Sequence, residues 1–117
     1  MKETPFKHKV EKLLDDHNAW YIKYWAGSKF TKEGMPDILA CVRGKFYGIE
    51  LKGDDGRPVL LQLIKLRDIR NAGGIGILLY PEDYKYFEAL IKGNELGEYW
   101  YRENKQKQSE WFNKLMS

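Results

Sequence analysis

Cysteine, histidine and long apolar runs are what this 117-residue chain has least of. Its one cysteine, Cys41, excludes a disulfide framework and a thiolate metal cluster, and fits a reducing compartment. Two histidines, His8 and His17, are too few and too close in sequence for a histidine-based zinc site. No stretch approaches the roughly 18 consecutive apolar residues that cross a bilayer, and the mean hydropathy is −0.64, so no membrane partner is expected. Met1-Lys2-Glu3-Thr4-Pro5 carries no apolar signal segment, and a cytoplasmic location is expected. The chain holds no internal repeat and no low-complexity tract.

What is present suffices for a core. The chain is 43% hydrophobic and 15% aromatic, which excludes wholesale disorder. Its length predicts a single domain over 1–117 with no room for a second core. Twenty Lys and Arg against 17 Asp and Glu give a net charge of +3, which permits a nucleic-acid partner without demanding one.

Hydrophobic spacing predicts the elements. Phe6, Val10, Leu13 and Leu14 mark a helix over 5–17, with Thr4 as N-cap and Pro5 at the first helical position. The aromatic and β-branched run 20–25 reads as a strand, and 26–34 as a polar loop. Residues 37–42 and 45–52 are strand-like and meet at Arg43-Gly44, a two-residue hairpin signal. A turn cluster at 53–58 precedes a helix reaching Ala72, closed by Gly73-Gly74. The continuous apolar run 75–80 fits a strand buried on both faces. Pro81 opens a further helix, and a last helix follows Gly93 to Gly97. The order α-β-β-β-α-β, with extra C-terminal helices, predicts an α/β fold with a mixed sheet flanked by helices. Its core spans about 5–92 and a helical extension about 93–117.

The hairpin register brings chemistry into view. With Arg43 and Gly44 as loop residues, Val42 faces Lys45 and Asp37 faces Glu50. Glu50 and Lys52 are two apart on one strand and share its face. That face would carry Asp37, Glu50 and Lys52 with Leu39, Cys41, Phe46 and Gly48. Ile38, Ala40, Val42, Tyr47, Ile49 and Leu51 would point the other way, leaving both faces largely apolar and covered. Like charges directly opposite each other are destabilising. A raised pKa, a salt bridge to Lys52 or a bound cation would relieve the clash. Oxygen donors of this kind suit a hard divalent ion such as magnesium or manganese. Taken singly, Asp37 after Pro36 is an ordinary turn residue and Glu50 with Lys52 an ordinary ion pair; it is their opposition that signals a site. A slip of one residue would put the carboxylates on opposite faces. Gln62 lines up with Leu66 and Ile69 on the stripe facing the sheet. A buried amide needs partners, either nearby backbone or water and phosphate beside the carboxylates.

Gly34-Met35-Pro36-Asp37, Gly48-Ile49-Glu50-Leu51-Lys52 and Gln62 resemble the VRR-NUC family of the PD-(D/E)XK nuclease superfamily. The likeness runs from about Pro5 to Leu90, including Lys23-Tyr24-Trp25, Gly56-Arg57-Pro58 and Leu79-Tyr80-Pro81, and is closest to small phage and prophage members. It implies a restriction-endonuclease-like core and a deoxyribonuclease dependent on Mg2+ or Mn2+, working as a homodimer on branched DNA such as Holliday junctions, in a bacterial host cell. Carried over, Asp37, Glu50 and the Leu51 carbonyl would bind the metal. Lys52 would activate water or stabilise the phosphate, and Gln62 would assist. Two positions depart from the family. Lys7 stands where a helix glutamate is usual, with Glu3 and Glu11 one turn away as substitutes, which makes Glu11 a further candidate ligand. Val59 stands where Ser or Thr usually starts the second helix.

Lys23, Lys29, Lys32 and Arg43 are candidate phosphate contacts, though each is equally a plain solvated side chain. Tyr84, Tyr86, Phe87, Tyr99, Trp100, Tyr101, Trp111 and Phe112 crowd the second half, and surplus apolar surface would favour a twofold partner. Equally, the last helix could fold back over its own core. Lys7 keeps a rival in play: a catalytically weakened or inactive DNA-binding module with the same fold.

Overall fold

The computed structural model describes residues 1–24 and 33–117. Helix α1 (Glu3–Asp16) is followed by strands β1 (Trp20–Lys23), β2 (Ile38–Val42) and β3 (Lys45–Leu51). Helix α2 (Leu60–Asn71), strand β4 (Ile75–Leu79), a 3-10 turn (Pro81–Asp83), α3 (Tyr84–Ile91) and α4 (Glu95–Met116) complete the chain. The sheet order is β1-β2-β3-β4. The first two pairings are antiparallel and β3 with β4 is parallel, so the sheet is mixed, as expected.

The hairpin has the anticipated register, with Val42 on Lys45 and Ile38 on Ile49. Its tip needs positive φ at both residues, and Arg43 (48°) and Gly44 (80°) supply it. The alternation follows. Ile38, Ala40, Val42, Tyr47, Ile49 and Leu51 are all buried, against Phe6, Val10, Leu13 and Leu14 of α1 and Phe87 and Ile91 of α3.

On the reverse face α2 buries Leu63 and Leu66 with Leu78 of β4. Glycines let it come close. A Cβ on Gly76 would stand 2.5 Å from the Leu66 carbonyl oxygen, and one on Gly48 2.3 Å from Ile69 Cδ1. The expected covering of this whole face is therefore corrected. The helix lies over β4 and part of β3, while Trp20 (69% exposed), Cys41 and, near the hairpin tip of β3, Phe46 (46%) stay open to solvent.

Boundaries moved where local geometry decided them. Helix α1 starts at Glu3 behind Lys2, so Thr4 and Pro5 lie inside the first turn rather than at N-cap and first position. Pro5 is tolerated there because the first four helical amides have no intrahelical acceptor. Strand β1 ends at Lys23, although the Tyr24 N–H still donates to the Asp37 carbonyl at 2.7 Å. Trp25, at the end of the expected strand, is outside the described residues. The last helix starts at Glu95 instead of after Gly97. Gly97 lies within it at its crossing with α3, where a Cβ would stand 2.2 Å from the Leu90 nitrogen.

Strand β4 is an edge strand whose free backbone groups are taken by side chains of α4. Asn104 accepts from the Leu78 N–H at 3.2 Å and donates to the Leu78 carbonyl at 2.7 Å. Gln108, one turn on, donates to the Gly76 carbonyl at 2.9 Å and to Asn104 Oδ1 at 2.8 Å. Arg70 donates to Gln108, and the Gly76 N–H to the Tyr101 hydroxyl. The same helix buries Trp100 in the larger core cluster and packs Trp111 and Phe112 on the smaller one. Among the crowded aromatics only Tyr99 is largely exposed (59%), so α4 folds back over its own core. No helix among the described residues is long and apolar enough to cross a membrane.

Candidate active site

Asp37 enters the site from a constrained approach. Gly34 has φ 77°, and a Cβ there would fall 2.5 Å from Leu61 Cγ on α2. Pro36 is buried, and Asp37 then delivers its carboxylate across the strand gap, where Oδ2 accepts the Leu51 N–H at 2.8 Å. A strand residue directs its N–H and C=O to the same neighbour. The Leu51 carbonyl therefore faces the side on which Asp37 lies.

Glu50 comes from the same stretch of β3 and is 3% exposed. Its Oε2 is held by Lys52 Nζ at 3.2 Å and by Gln62 Nε2 at 3.1 Å, while Oε1 is buried with no hydrogen-bond partner. The two carboxyl groups act on each other's titration. Burial first, and the Asp37 charge second, push Glu50 up to about 8 against the pull of Lys52. Burial also raises Asp37, opposed by the Leu51 N–H and the Lys7 ammonium. Both shifts run in the direction in which the pair holds a proton, which relieves the repulsion.

Gln62 joins two jobs. Its Oε1 accepts the Val59 N–H at 3.0 Å, which supplies the start of α2 that a valine side chain cannot cap. Its Nε2 serves Glu50. Lys52 is 9% exposed and roofed by the 53–58 turn: a Cβ on Gly56 would stand 3.0 Å from Lys52 Cβ, and the Tyr80 hydroxyl donates to the Gly56 carbonyl at 2.7 Å.

Asp37, Glu50, Lys52 and Gln62 are therefore brought together, and other expected residues are not. Glu11 is engaged elsewhere, with Lys23 Nζ at 2.8 Å and His8 Nδ1 at 3.7 Å. The α1 residue that faces Asp37 is Lys7, at 3.7 Å from Oδ1 and 3.0 Å from Glu3 Oε2. The likeness set Lys7 where a helix glutamate is usual, and its ammonium does face Asp37; Glu3, named as a substitute carboxylate, instead holds that ammonium. Among the described residues no group of three or more His, Cys, Asp and Glu gathers to hold a metal. The donor set is two carboxylates with a backbone carbonyl. It fits a hard divalent ion, because one buried carboxylate oxygen lacks any donor.

Of the candidate phosphate contacts, Lys23 lies at the site end of the sheet, on the residue pairing with Ile38. Arg43 sits at the opposite end, about 20 Å away along the strand, and donates to the Ile91 carbonyl at the end of α3. Lys29 and Lys32 lie outside the described residues. A cavity of about 900 Å3 lies not over the carboxylates but farther along the same sheet face, between Leu39, Phe46 and Ile69. Comparison with protein-family models, with curated proteins and with solved structures returns no match to this chain.

Proposed function

We propose that this chain is a divalent-metal-dependent endonuclease of the VRR-NUC kind that hydrolyses DNA phosphodiester bonds. The observation carrying the reading is Glu50 Oε1, buried without a donor beside a second carboxylate. A group so placed is costly unless a proton or a cation meets it. The proposed core is restriction-endonuclease-like, and the α-β-β-β-α-β order is compatible with that.

Asp37, Glu50 and the Leu51 carbonyl would hold Mg2+ or Mn2+, which supplies water activation and charge neutralisation at phosphorus. Asp37 is kept in place by the Leu51 N–H, and Glu50 by Gln62 and Lys52. Lys52 offers its ammonium as a donor to a phosphate oxygen from a position fixed by the turn above it. Lys23 supports backbone docking, which positions DNA without reading its sequence. The proposed substrate is branched DNA such as a Holliday junction, and the proposed assembly a homodimer cutting two symmetric strands. Its origin is proposed to be a phage or prophage of a bacterial host.

One contact favours a second reading, an inactive or weakened DNA-binding module: the Lys7 ammonium lies against Asp37. A panel of junction, flap, single-stranded and duplex DNA, incubated with Mg2+, Mn2+ or EDTA, separates the two. Metal-dependent cutting strongest on junctions supports the nuclease. Junction binding without cutting supports the module.

A further inference from the structure

We propose that Lys7 is a tethered counter-ion of Asp37 which a divalent cation must displace, so that Lys7 weakens cation binding at the carboxylate pair. This inference rests on the metal-dependent reading above and concerns how that site is tuned.

The partners of the four carboxylate oxygens carry it. Glu50 Oε2 is shared by Lys52 and Gln62, and Glu50 Oε1 has no partner, so a cation reaches Glu50 without disturbing either. Asp37 offers no such opening. Its Oδ2 takes the Leu51 N–H at 2.8 Å, and its Oδ1 faces Lys7 Nζ at 3.7 Å. A cation that bridges the two carboxylates through Oδ1, the Asp37 oxygen with no backbone donor, comes in on the Lys7 side. An ion at ordinary Mg2+ distance from Oδ1 would lie within about 6 Å of that ammonium. The Lys7 side chain is only 15% exposed, so water screens the repulsion poorly.

The helix also provides somewhere for the ammonium to go. Glu3, one turn back, holds Lys7 Nζ at 3.0 Å, closer than Asp37 does, and its side chain is 43% exposed. Released from Asp37, Lys7 keeps its nearer ion pair. Displacement gives up the 3.7 Å contact and keeps the 3.0 Å one, and the outcome is a reduced affinity instead of a blocked site. Lys52 plays no such part, since its partner oxygen is not the open one.

The test is calorimetric titration of Mn2+ alone into the full-length wild-type protein and into Lys7→Met, Lys7→Gln and Lys7→Arg, at low ionic strength and one pH. Thermal melts identify which variants are folded, and the two neutral variants stand in for each other. Removing the ammonium should tighten Mn2+ binding by about tenfold or more, while arginine, which keeps the charge, should stay close to wild type. Wild-type protein that binds no Mn2+, with binding appearing in the neutral variants, supports the inference in its strongest form. Equal affinity in all four proteins, or weaker binding in the neutral variants, overturns it and leaves the metal reading standing. Tightening by arginine as well would mean that bulk, not charge, is at work, and also overturns it. Folded proteins that all fail to bind Mn2+ overturn the metal reading and this inference together.

Discussion

Gln62 donates to Glu50 Oε2 at 3.1 Å while accepting the Val59 N–H at 3.0 Å, so one amide ties the start of α2 to the buried carboxyl group. The backbone-bonded glutamine and the site glutamine are the same side chain. Gln62→Ala should therefore lower stability by about 1–3 kcal/mol, the combined scale of a lost cap and a lost buried hydrogen bond. It also removes a donor to the charged form of Glu50, so the Glu50 titration should move further up. Urea denaturation of both proteins across pH checks the two effects, and a variant matching wild type at every pH would refute them.

The raised Glu50 makes stability depend on pH in a stated direction. Its folded value of about 8 stands above the ordinary 4.5, so between those values the native protein binds more protons than the unfolded chain. In EDTA, stability should fall as pH rises through that window, by a few kcal/mol in all, and Asp37, also raised, acts with the same sign. Glu50→Gln should flatten the slope and be the more stable protein near pH 8. Mn2+ should flatten it too, by binding the ionised pair. Urea midpoints measured from pH 5 to 8.5 read all three expectations.

The proposed nuclease activity would rest on the same pair. Asp37→Asn or Glu50→Gln should each reduce Mg2+-dependent cutting of a junction by about three orders of magnitude or more, the scale of several kcal/mol of transition-state charge stabilisation. Both should stay folded, since each keeps a side chain of the same shape. Cleavage at wild-type rate by both variants would remove these residues from the reaction.

The site was legible in sequence because period-two geometry is rigid. Once Arg43-Gly44 is a two-residue turn, the face of every hairpin residue follows, and Asp37 and Glu50 must converge. Lys7 is different. Its place beside Asp37 depends on how α1 lies across the sheet, a packing relationship that helical spacing alone does not carry; the resemblance pointed to that position, while Glu11, a turn away, meets Lys23 instead. Arg43, a candidate phosphate contact at the hairpin tip, is parted from the carboxylates because the tip and the base of a hairpin are opposite ends of the sheet. The two-sided apolar pattern of β2 and β3 suggested cover on both faces. Gly48 and Gly76 seat α2 over only half of one.

The least legible feature was the closure of β4, and it supports the last prediction. A continuous apolar strand such as 75–79 normally has strand neighbours on both sides, yet here Asn104 and Gln108 on α4 stand in for one. Polar residues four apart on a helix ordinarily read as a solvent face, and only their burial, 3% and 2% exposed, reveals the role. Asn104→Leu strips partners from both the Leu78 N–H and its carbonyl and should cost about 2–4 kcal/mol. Gln108→Leu should cost less, since the Gly76 N–H keeps its bond to Tyr101. Because Gln108 also donates to Asn104, the double variant should lose less than the two singles combined. Amide exchange at Leu78 should quicken in Asn104→Leu, and an unsatisfied strand edge should raise aggregation with concentration. Unchanged Leu78 exchange in a folded Asn104→Leu would show that α4 merely lies against the edge without completing it.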